Sequence, residues 1–92
     1  MNINKYFDDK VISIGFDTEA GHVSSGVMSV GEYTFGTNQK ERMVVVHGEL
    51  VVQLPGAEEW QSFPAGTEFN VAADVEFNVK VATPTAYLCY YS

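Results

Sequence analysis

The strongest constraint in this sequence is a succession of short apolar runs divided by turn residues at intervals of roughly eight to twelve residues. Such runs predict strands at residues 10–16, 23–30, 32–35, 43–46, 50–52, 60–63, 67–71, 75–82 and 86–91. No stretch shows the 3.6-residue apolar period of an amphipathic helix. The pattern therefore predicts an all-β fold, either a sandwich or a closed barrel of about nine strands.

The densest apolar segment, residues 41–54, predicts the centre of this fold. β-Branched and aliphatic side chains occupy both faces of residues 43–46 and 50–52. Gly48 lies between the two runs, and glycine accepts a positive φ without steric cost. We interpret the segment as a tight hairpin that turns at Gly48 and is covered on both faces. One barrel of this size cannot cover so many apolar faces, so we also expect a homodimer that buries one sheet face.

The two ends of the chain differ in pattern. Residues 1–9 are polar apart from a few side chains, and we interpret them as an N-terminal arm that docks through Tyr6 and Phe7. Near the other end, residues 75–81 alternate strictly. Val75, Phe77, Val79 and Val81 share one face, which should pack, while Asp74, Glu76, Asn78 and Lys80 share a face that meets water or lines a polar lumen.

Length and charge limit the class of protein. The 92 residues predict one domain spanning 1–92. The net charge of −7 arises from 12 acidic against five basic residues, and this field repels the phosphate backbone of nucleic acids. The single cysteine forms no internal disulfide, which suits a reducing compartment. No apolar run approaches transmembrane length, so we expect a cytoplasmic protein without a membrane partner.

Several longer strings carry a family resemblance. They are SIGFD, GVMSVGEYTFGT, ERMVVVHGELVVQLPG, Trp60 with its flanks, FPAGTEFNV and TPTAYLCYY. Together they resemble a small single-domain cupin, an RmlC-like jelly roll, and more closely the pyrimidine/purine nucleoside phosphorylase family of small cupins. The resemblance implies phosphorolysis of purine and pyrimidine nucleosides to the free base and ribose 1-phosphate, with broad base tolerance.

The sequence departs from the metal-dependent cupins at their ligand positions. The histidines that those proteins carry six and four residues before the first-motif glutamate are replaced by Phe35 and Thr37, relative to Glu41. The second-motif histidine falls near Glu76. A lone carboxylate, or two, does not build the imidazole-rich site that Zn²⁺ or Fe²⁺ requires. We therefore expect no metal and no other cofactor.

Glu41 is the sharpest candidate for a catalytic residue. By alternation it shares a face with Met43 and Val45, which aims its carboxylate into the barrel. Glu76 is the second candidate, although a wet outer face explains it equally well. If both glutamates faced the lumen, their repulsion would raise at least one pKa. The alternative for Glu41 is a solvated carboxylate at a strand mouth.

The remaining candidates are aromatic, hydroxyl and basic residues near the predicted barrel mouth. Aromatic rings stack on any nucleobase, because every base presents a π-face. We expect substrate contacts from Tyr33, Phe35, Thr37 and Tyr87, and weaker phosphate contacts from Gly36, Lys40 and Arg42. Ordinary core packing explains any single aromatic just as well. By parity, Arg42 points away from Glu41, which counts against a shared site.

Two other functions remain open on the sequence alone. A non-catalytic cupin would bind a nucleoside or sugar without turnover. A metal-dependent cupin isomerase or dioxygenase would need unusual ligands.

Overall fold

A computed structural model describes all of residues 1–92 as two antiparallel sheets. The ten strands are β1 (Asn2–Tyr6), β2 (Val11–Thr18), β3 (Gly21–Met28), β4 (Gly31–Gly36), β5 (Glu41–His47), β6 (Glu49–Gln53), β7 (Gln61–Pro64), β8 (Glu68–Val71), β9 (Glu76–Val81) and β10 (Thr85–Tyr91). The six-stranded sheet has the order β1-β2-β3-β10-β5-β8, and the four-stranded sheet has the order β4-β9-β6-β7. No helix that could cross a membrane is present.

The core lies between the inner faces of the two sheets, which confirms the predicted all-β sandwich. β9 shows how the sequence places it, since period-2 alternation sends one set of side chains inward. Phe77, Val79 and Val81 are buried, whereas Glu76 and Lys80 are exposed. The packing face predicted for this strand is therefore confirmed, and its polar face meets solvent.

The prediction of a tight hairpin at Gly48 is wrong in its pairing. Gly48 has the expected positive φ of 89°, but β5 belongs to the six-stranded sheet and β6 to the four-stranded sheet. The chain crosses from one sheet to the other at this corner, and the backbone here forms hydrogen bonds with two distant segments. The Glu49 N–H donates to Thr85 Oγ1 at 3.1 Å, and the Ala65 N–H donates to the Gly48 carbonyl at 3.0 Å.

The outer faces of these two strands are also not covered within one chain. Met43 and Val45 of β5 are buried, but Val44 is half-buried and Val46 is 55% exposed. Dense apolar sequence on both faces predicted a segment enclosed on both sides. A single chain supplies only one packing layer per sheet, so the second face of β5 remains open.

The first residues form a strand, which the sequence pattern did not predict. β1 pairs with β2 along its whole length, from Asn2 opposite Gly15 to Tyr6 opposite Val11. Its polar side chains gave no strand pattern in the sequence. An edge strand needs few apolar contacts, because backbone hydrogen bonds to its neighbour hold it in place. The predicted contact through the two rings does occur, since the Phe7 ring packs against Tyr33 and Phe35.

β2 carries its larger apolar side chains outward. Val11 and Ser13 face the core and are buried, whereas Ile12 and Ile14 are 38% and 42% exposed. On the neighbouring β3, Val27 lies directly opposite Ile12 and is 51% exposed. The six-stranded sheet therefore presents an apolar outer face.

Candidate functional site

A cavity of about 250 Å³ opens between the two sheets. Strands β1 to β5, β9 and β10 all contribute to it, so its shape depends on the whole sandwich. Nine of its 13 lining residues are hydrophobic, and the set is Tyr6, Phe7, Ser13, Met28, Thr34, Phe35, Gly36, Glu41, Met43, Phe77, Tyr87, Cys89 and Tyr91. No lysine, arginine or histidine lines it, which leaves one ionisable carboxyl group in an apolar space.

Glu41 is that carboxyl group. It begins β5 and lies opposite Tyr91 in the β5–β10 ladder, on the inner face as the alternation predicts. The side chain is half-buried, and the Cys89 thiol donates a hydrogen bond to Oε1 at 3.4 Å. Burial raises the pKa of Glu41, and the hydrogen bond from Cys89 opposes this shift in part.

β10 supplies the polar wall of the cavity, because Tyr87, Cys89 and Tyr91 alternate onto its inner face. Burial raises the pKa of Tyr87 to about 12, and Ser13 bonds to its hydroxyl. The Tyr91 hydroxyl lies 3.2 Å from Ser24 Oγ. Burial also raises the pKa values of Tyr91 and Cys89. All three groups are therefore neutral hydrogen-bond donors at pH 7.

Aromatic rings form the opposite wall. Phe35 and Phe77 are cross-strand partners on β4 and β9, and their rings stack with centroids 5.6 Å apart and an interplanar angle of 28°. Phe7 meets Phe35 edge-on at 5.5 Å and 85°. The cavity thus has an apolar aromatic side and a polar side that contains Glu41.

Four of the predicted site residues line the cavity together: Phe35, Gly36, Glu41 and Tyr87. Gly36 lies at the end of β4 with no heavy atom near a hypothetical Cβ, so it forms an open part of the rim. Strand alternation explains why Phe35, Glu41 and Tyr87 converge, whereas Gly36 contributes as the last residue of β4. β4 and β5 belong to facing sheets, and each presents its inward residues to the same space.

Five predicted residues lie outside the cavity lining, and three of them are held elsewhere by their own contacts or strand face. Tyr33 is buried, and its hydroxyl donates to the Ser29 carbonyl at 2.6 Å. Thr37 Oγ1 donates to the Ala72 carbonyl at 2.7 Å, so its hydroxyl holds the loop before β9. Glu76 occupies the exposed face of β9, and its carboxylate does not share the cavity with Glu41.

Lys40 and Arg42 flank a second depression, also of about 250 Å³. Glu41 lines this groove as well as the cavity, so its side chain forms part of the wall between them. Arg42 Nη1 lies 3.5 Å from Glu68 Oε2, and its guanidinium sits 4.2 Å above the Tyr90 ring. Arg42 therefore points away from Glu41, as parity predicts.

The sequence reasoning did not assign Phe7, Ser13, Cys89 or Tyr91 to the site. For Cys89 and Tyr91 a signal existed, because they share the parity of Tyr87, which was a candidate. For Ser13, the signal was a small polar residue within an apolar strand. Phe7 had no comparable signal, since its position depends on the left-handed turn at residues 7–9.

The residues present do not fit a transition-metal centre. The structure brings no group of three His, Cys, Asp or Glu side chains together. Phe35 and Thr37 stand at the histidine positions of metal-dependent cupins, and the carbonyl of Ala72 already engages the Thr37 hydroxyl. The donor set around Glu41 consists of a thiol and a phenol, and the raised pKa of Cys89 disfavours the thiolate that a metal needs.

Solved structures with the same architecture define the fold. An RmlC-like cupin from Shewanella frigidimarina superimposes with a TM-score of 0.75 at 17% identity, covering 99% of this chain and 82% of that one. The fold is therefore that of a cupin, as the sequence resemblance implies.

Sequence relatives then define the family. A sequence model described as pyrimidine/purine nucleoside phosphorylase matches residues 1–91, and the chain belongs to that family. A pyrimidine/purine nucleoside phosphorylase from Tolumonas auensis is 56% identical over 91 residues, which are 99% of this chain and 98% of the relative. One from Rhodopirellula baltica is 50% identical over the full length of both chains.

A solved structure with higher sequence identity has nearly the same backbone. A protein from Vibrio parahaemolyticus, described as of unknown function, is 45% identical and superimposes with a TM-score of 0.95. The match covers 99% of this chain and 97% of that one. The backbone that positions the cavity is thus common to both proteins.

Proposed function

We propose that the protein is a nucleoside phosphorylase of broad specificity. It converts purine and pyrimidine nucleosides and inorganic phosphate to the free base and ribose 1-phosphate. The observation that carries the proposal is the half-buried Glu41 carboxyl group in a cavity with aromatic walls. Relatives at 50% and 56% identity over the full length carry the corresponding name, which supports the same reaction class.

In this reaction a phosphate oxygen forms a bond to C1′ of the ribose while the C1′–N bond breaks. The electron pair of that bond leaves on the base nitrogen, which takes up the proton that the attacking phosphate loses. Positive charge develops on the sugar in the transition state, as in glycoside cleavage. A Glu41 carboxylate accepts hydrogen bonds from ribose hydroxyls and stabilises that charge in the apolar cavity. We assign this catalytic role to Glu41.

The exposed position of Glu76 removes it from that role. Its side chain lies on the outer face of β9, although its backbone pairs with Gly36 at the cavity rim. A carboxylate must lie within hydrogen-bond distance of the substrate to act on it. Glu76 therefore serves as a control residue for Glu41.

The aromatic wall accounts for the proposed tolerance of different bases. Phe35 and Phe77 offer apolar ring faces that accept a purine or a pyrimidine, because stacking does not read hydrogen-bond patterns. Opposite them, the Tyr87 hydroxyl remains protonated and donates to an acceptor on the substrate. Thr37 contributes indirectly by holding the loop below the rim.

Phosphate approaches most readily from the groove on the other side of Glu41. Lys40 is exposed there, and Arg42 lines the same groove while paired with Glu68. The backbone of Gly36 adds an open rim to the cavity itself. Lys40 and Arg42 are the cationic side chains of the groove that Glu41 also lines, so they are the proposed phosphate contacts.

The test is incubation of the purified protein with uridine or adenosine, with and without phosphate. Phosphate-dependent release of free base together with an equal amount of ribose 1-phosphate supports the proposal. Base release that is independent of phosphate indicates hydrolysis and contradicts it.

A non-catalytic nucleoside-binding cupin is the second candidate, because no cationic side chain lines the cavity itself. Such a protein would show adenosine binding by calorimetry but would release no free base when phosphate is present. The third candidate, a metal-dependent isomerase or dioxygenase, is disfavoured because no group of three metal-ligating side chains is present. Stoichiometric iron, zinc or nickel in elemental analysis of the same sample would contradict this.

We also propose a homodimer that buries the outer face of the six-stranded sheet. Ile3, Ile12, Ile14 and Val27 are exposed neighbours on this face. In the strand ladders, Ile3 lies opposite Ile14 and Ile12 lies opposite Val27, so these side chains form one apolar patch. A self-complementary apolar face is what a two-fold interface requires.

A cytoplasmic location is consistent with the one cysteine. Cys89 is buried and unpaired, and a reducing compartment keeps its thiol available as the donor to Glu41. We infer this location from the proposed role of the thiol.

A further inference from the structure

Two residues adjacent in sequence, Tyr6 and Phe7, line the same cavity. Successive side chains of a strand point to opposite faces of the sheet. Tyr6 lies opposite the buried Val11 and points inward, so a continued strand would send Phe7 to the outer face. β1 ends at Tyr6, and the backbone changes direction at Phe7, the first of three left-handed residues.

The change is made by a left-handed turn without glycine. Phe7, Asp8 and Asp9 have φ values of 54°, 56° and 66°. This region is tolerated by Asp but uncommon for a bulky residue such as Phe, and it costs on the order of 1 kcal/mol for each residue. The Lys10 N–H donates to the Phe7 carbonyl at 3.2 Å, and the Ser29 N–H donates to the Lys10 carbonyl at 2.7 Å. These bonds hold the turn closed.

The strained turn places the Phe7 ring at the mouth of the cavity. Its centroid lies 5.0 Å from that of Tyr33 and 5.5 Å from that of Phe35. Tyr33 is buried and its hydroxyl is bonded to the Ser29 carbonyl, so it provides a fixed backing for Phe7. The Phe7 side chain nevertheless remains 42% exposed, which is unlike a core residue. Strain that brings a half-exposed ring to a cavity indicates a functional contact.

We propose that Phe7 is a specificity-determining residue that stacks on the heterocyclic base at the cavity mouth. The inference rests on the proposed function and names the group that recognises the base. Phe7 belongs to the aromatic side with Phe35, whereas the ribose would lie toward Glu41 and Cys89 on the polar side. Its contact therefore distinguishes a nucleoside from a sugar phosphate that has no base.

The experiment compares Phe7→Ala, Phe7→Leu and Phe7→Tyr with the wild-type protein. KM and kcat are measured for adenosine and uridine at saturating phosphate, and ribose 1-phosphate is tested as a competitive inhibitor. Loss of the ring should raise the nucleoside KM about 10- to 100-fold, as removal of one base-stacking aromatic does in other proteins. Inhibition by ribose 1-phosphate should change less than about twofold, because no base is present to stack.

The three substitutions separate stacking from packing. Phe7→Leu keeps apolar bulk but lacks a π-face, so it should resemble Phe7→Ala, and Phe7→Tyr should resemble the wild type. Val30→Ala is the matched control, since Val30 is exposed and lies outside the cavity. Thermal unfolding shows whether each variant is folded. If Phe7→Ala does not fold, the comparison of Phe7→Leu with Phe7→Tyr provides the test.

Two results would overturn the stacking role of Phe7. One is an unchanged nucleoside KM in Phe7→Ala and Phe7→Leu, and the other is an equal loss for nucleoside and ribose 1-phosphate. If the wild type releases no base, the proposed function fails by itself, and calorimetry with adenosine tests stacking directly. Weaker adenosine binding by Phe7→Leu then supports the role, whereas equal binding, or none by the wild type, contradicts it.

Discussion

The Cys89 thiol donates a hydrogen bond to Oε1 of Glu41 across 3.4 Å, inside the cavity between the sheets. The bond connects β10 to β5 and points a neutral donor at the one carboxyl group of the cavity. It favours the ionised form of Glu41, while burial favours the protonated form. We therefore propose Cys89 as a positioning residue for the proposed catalytic group.

Replacement of this thiol should change the pH dependence of turnover. In Cys89→Ala the carboxylate loses a donor, so the pKa of Glu41 rises further. The acid limb of the profile of kcat/KM against pH should then move to higher pH. Cys89→Ser retains a donor and should keep the limb near its wild-type position. An identical acid limb in all three proteins would show that the thiol does not act on Glu41.

Glu41→Gln should stabilise the protein increasingly as pH rises. Because burial raises the folded-state pKa of Glu41 above 4.5, the folded state binds its proton more tightly than the unfolded state. The stability due to this proton is present below pH 4.5 and is lost as pH rises through the folded-state pKa. Glutamine has no such loss. The free energies of unfolding of both proteins in urea, measured from pH 4 to 8, provide the test.

The exposed Glu76→Gln variant is the matched control for the loss of one negative charge. A difference between Glu41→Gln and wild type that stays constant across the pH range would contradict the buried state of the Glu41 carboxyl group. A difference in unfolding free energy that shrinks as pH rises would contradict a raised folded-state pKa of Glu41.

Gly26→Ala should damage the cavity through Tyr87. A Cβ at position 26 would lie 2.6 Å from the Tyr87 hydroxyl oxygen and 2.9 Å from the Ile12 carbonyl oxygen. Overpacking of this kind costs roughly 1–3 kcal/mol, and it would displace the ring from the cavity wall. Gly36→Ala is the stability control, because nothing lies within 4 Å of its hypothetical Cβ. Equal free energies of unfolding for the two variants would contradict the close packing of Tyr87 on Gly26.

Ile14→Glu should convert the proposed dimer to a monomer. Ile14 is exposed on the outer face of the six-stranded sheet, and a carboxylate there would be buried without a partner in a dimer. Light scattering after size exclusion should give twice the chain mass of 10.1 kDa for the wild type and one chain mass for the variant. Val30→Glu adds the same charge at an exposed site outside this face and should remain dimeric. A monomeric wild type would remove the prediction.

Local periodicity predicted the strands well. Residues 75–81 alternate strictly, and the structure buries Phe77, Val79 and Val81 as expected. The same parity placed Glu41 on the inner face and directed Arg42 away from it. Such inferences succeed because alternation is a property of each strand and needs no knowledge of its neighbours.

Pairing between strands was harder to predict from the sequence. Gly48 was correctly expected at a turn, but its neighbouring strands enter different sheets because Glu49 bonds to Thr85, 36 residues away. β1 was not predicted, because backbone hydrogen bonds to β2 hold it in place and its side chains show no strand pattern. These features depend on long-range contacts, which short sequence patterns do not contain.

The candidate site was predicted in part for the same reason. Glu41 follows from strand parity, and Phe35 and Tyr87 were expected as aromatic contacts. Tyr33 and Thr37 are instead engaged by backbone carbonyls that only the folded chain brings near. Phe7 was missed as a site residue because three consecutive left-handed residues reverse the alternation. Backbone strain of this kind leaves little trace in the sequence.

The most direct test of the proposed chemistry is the rate of ribose 1-phosphate formation by wild type, Glu41→Gln and Glu76→Gln, followed by ³¹P NMR with uridine and adenosine. We expect Glu41→Gln to lose at least about 100-fold in kcat, the order found when one transition-state hydrogen-bond group is removed. Glu76→Gln should retain wild-type turnover. Full turnover and unchanged KM in Glu41→Gln would contradict the assignment of the cavity as the phosphorolysis site.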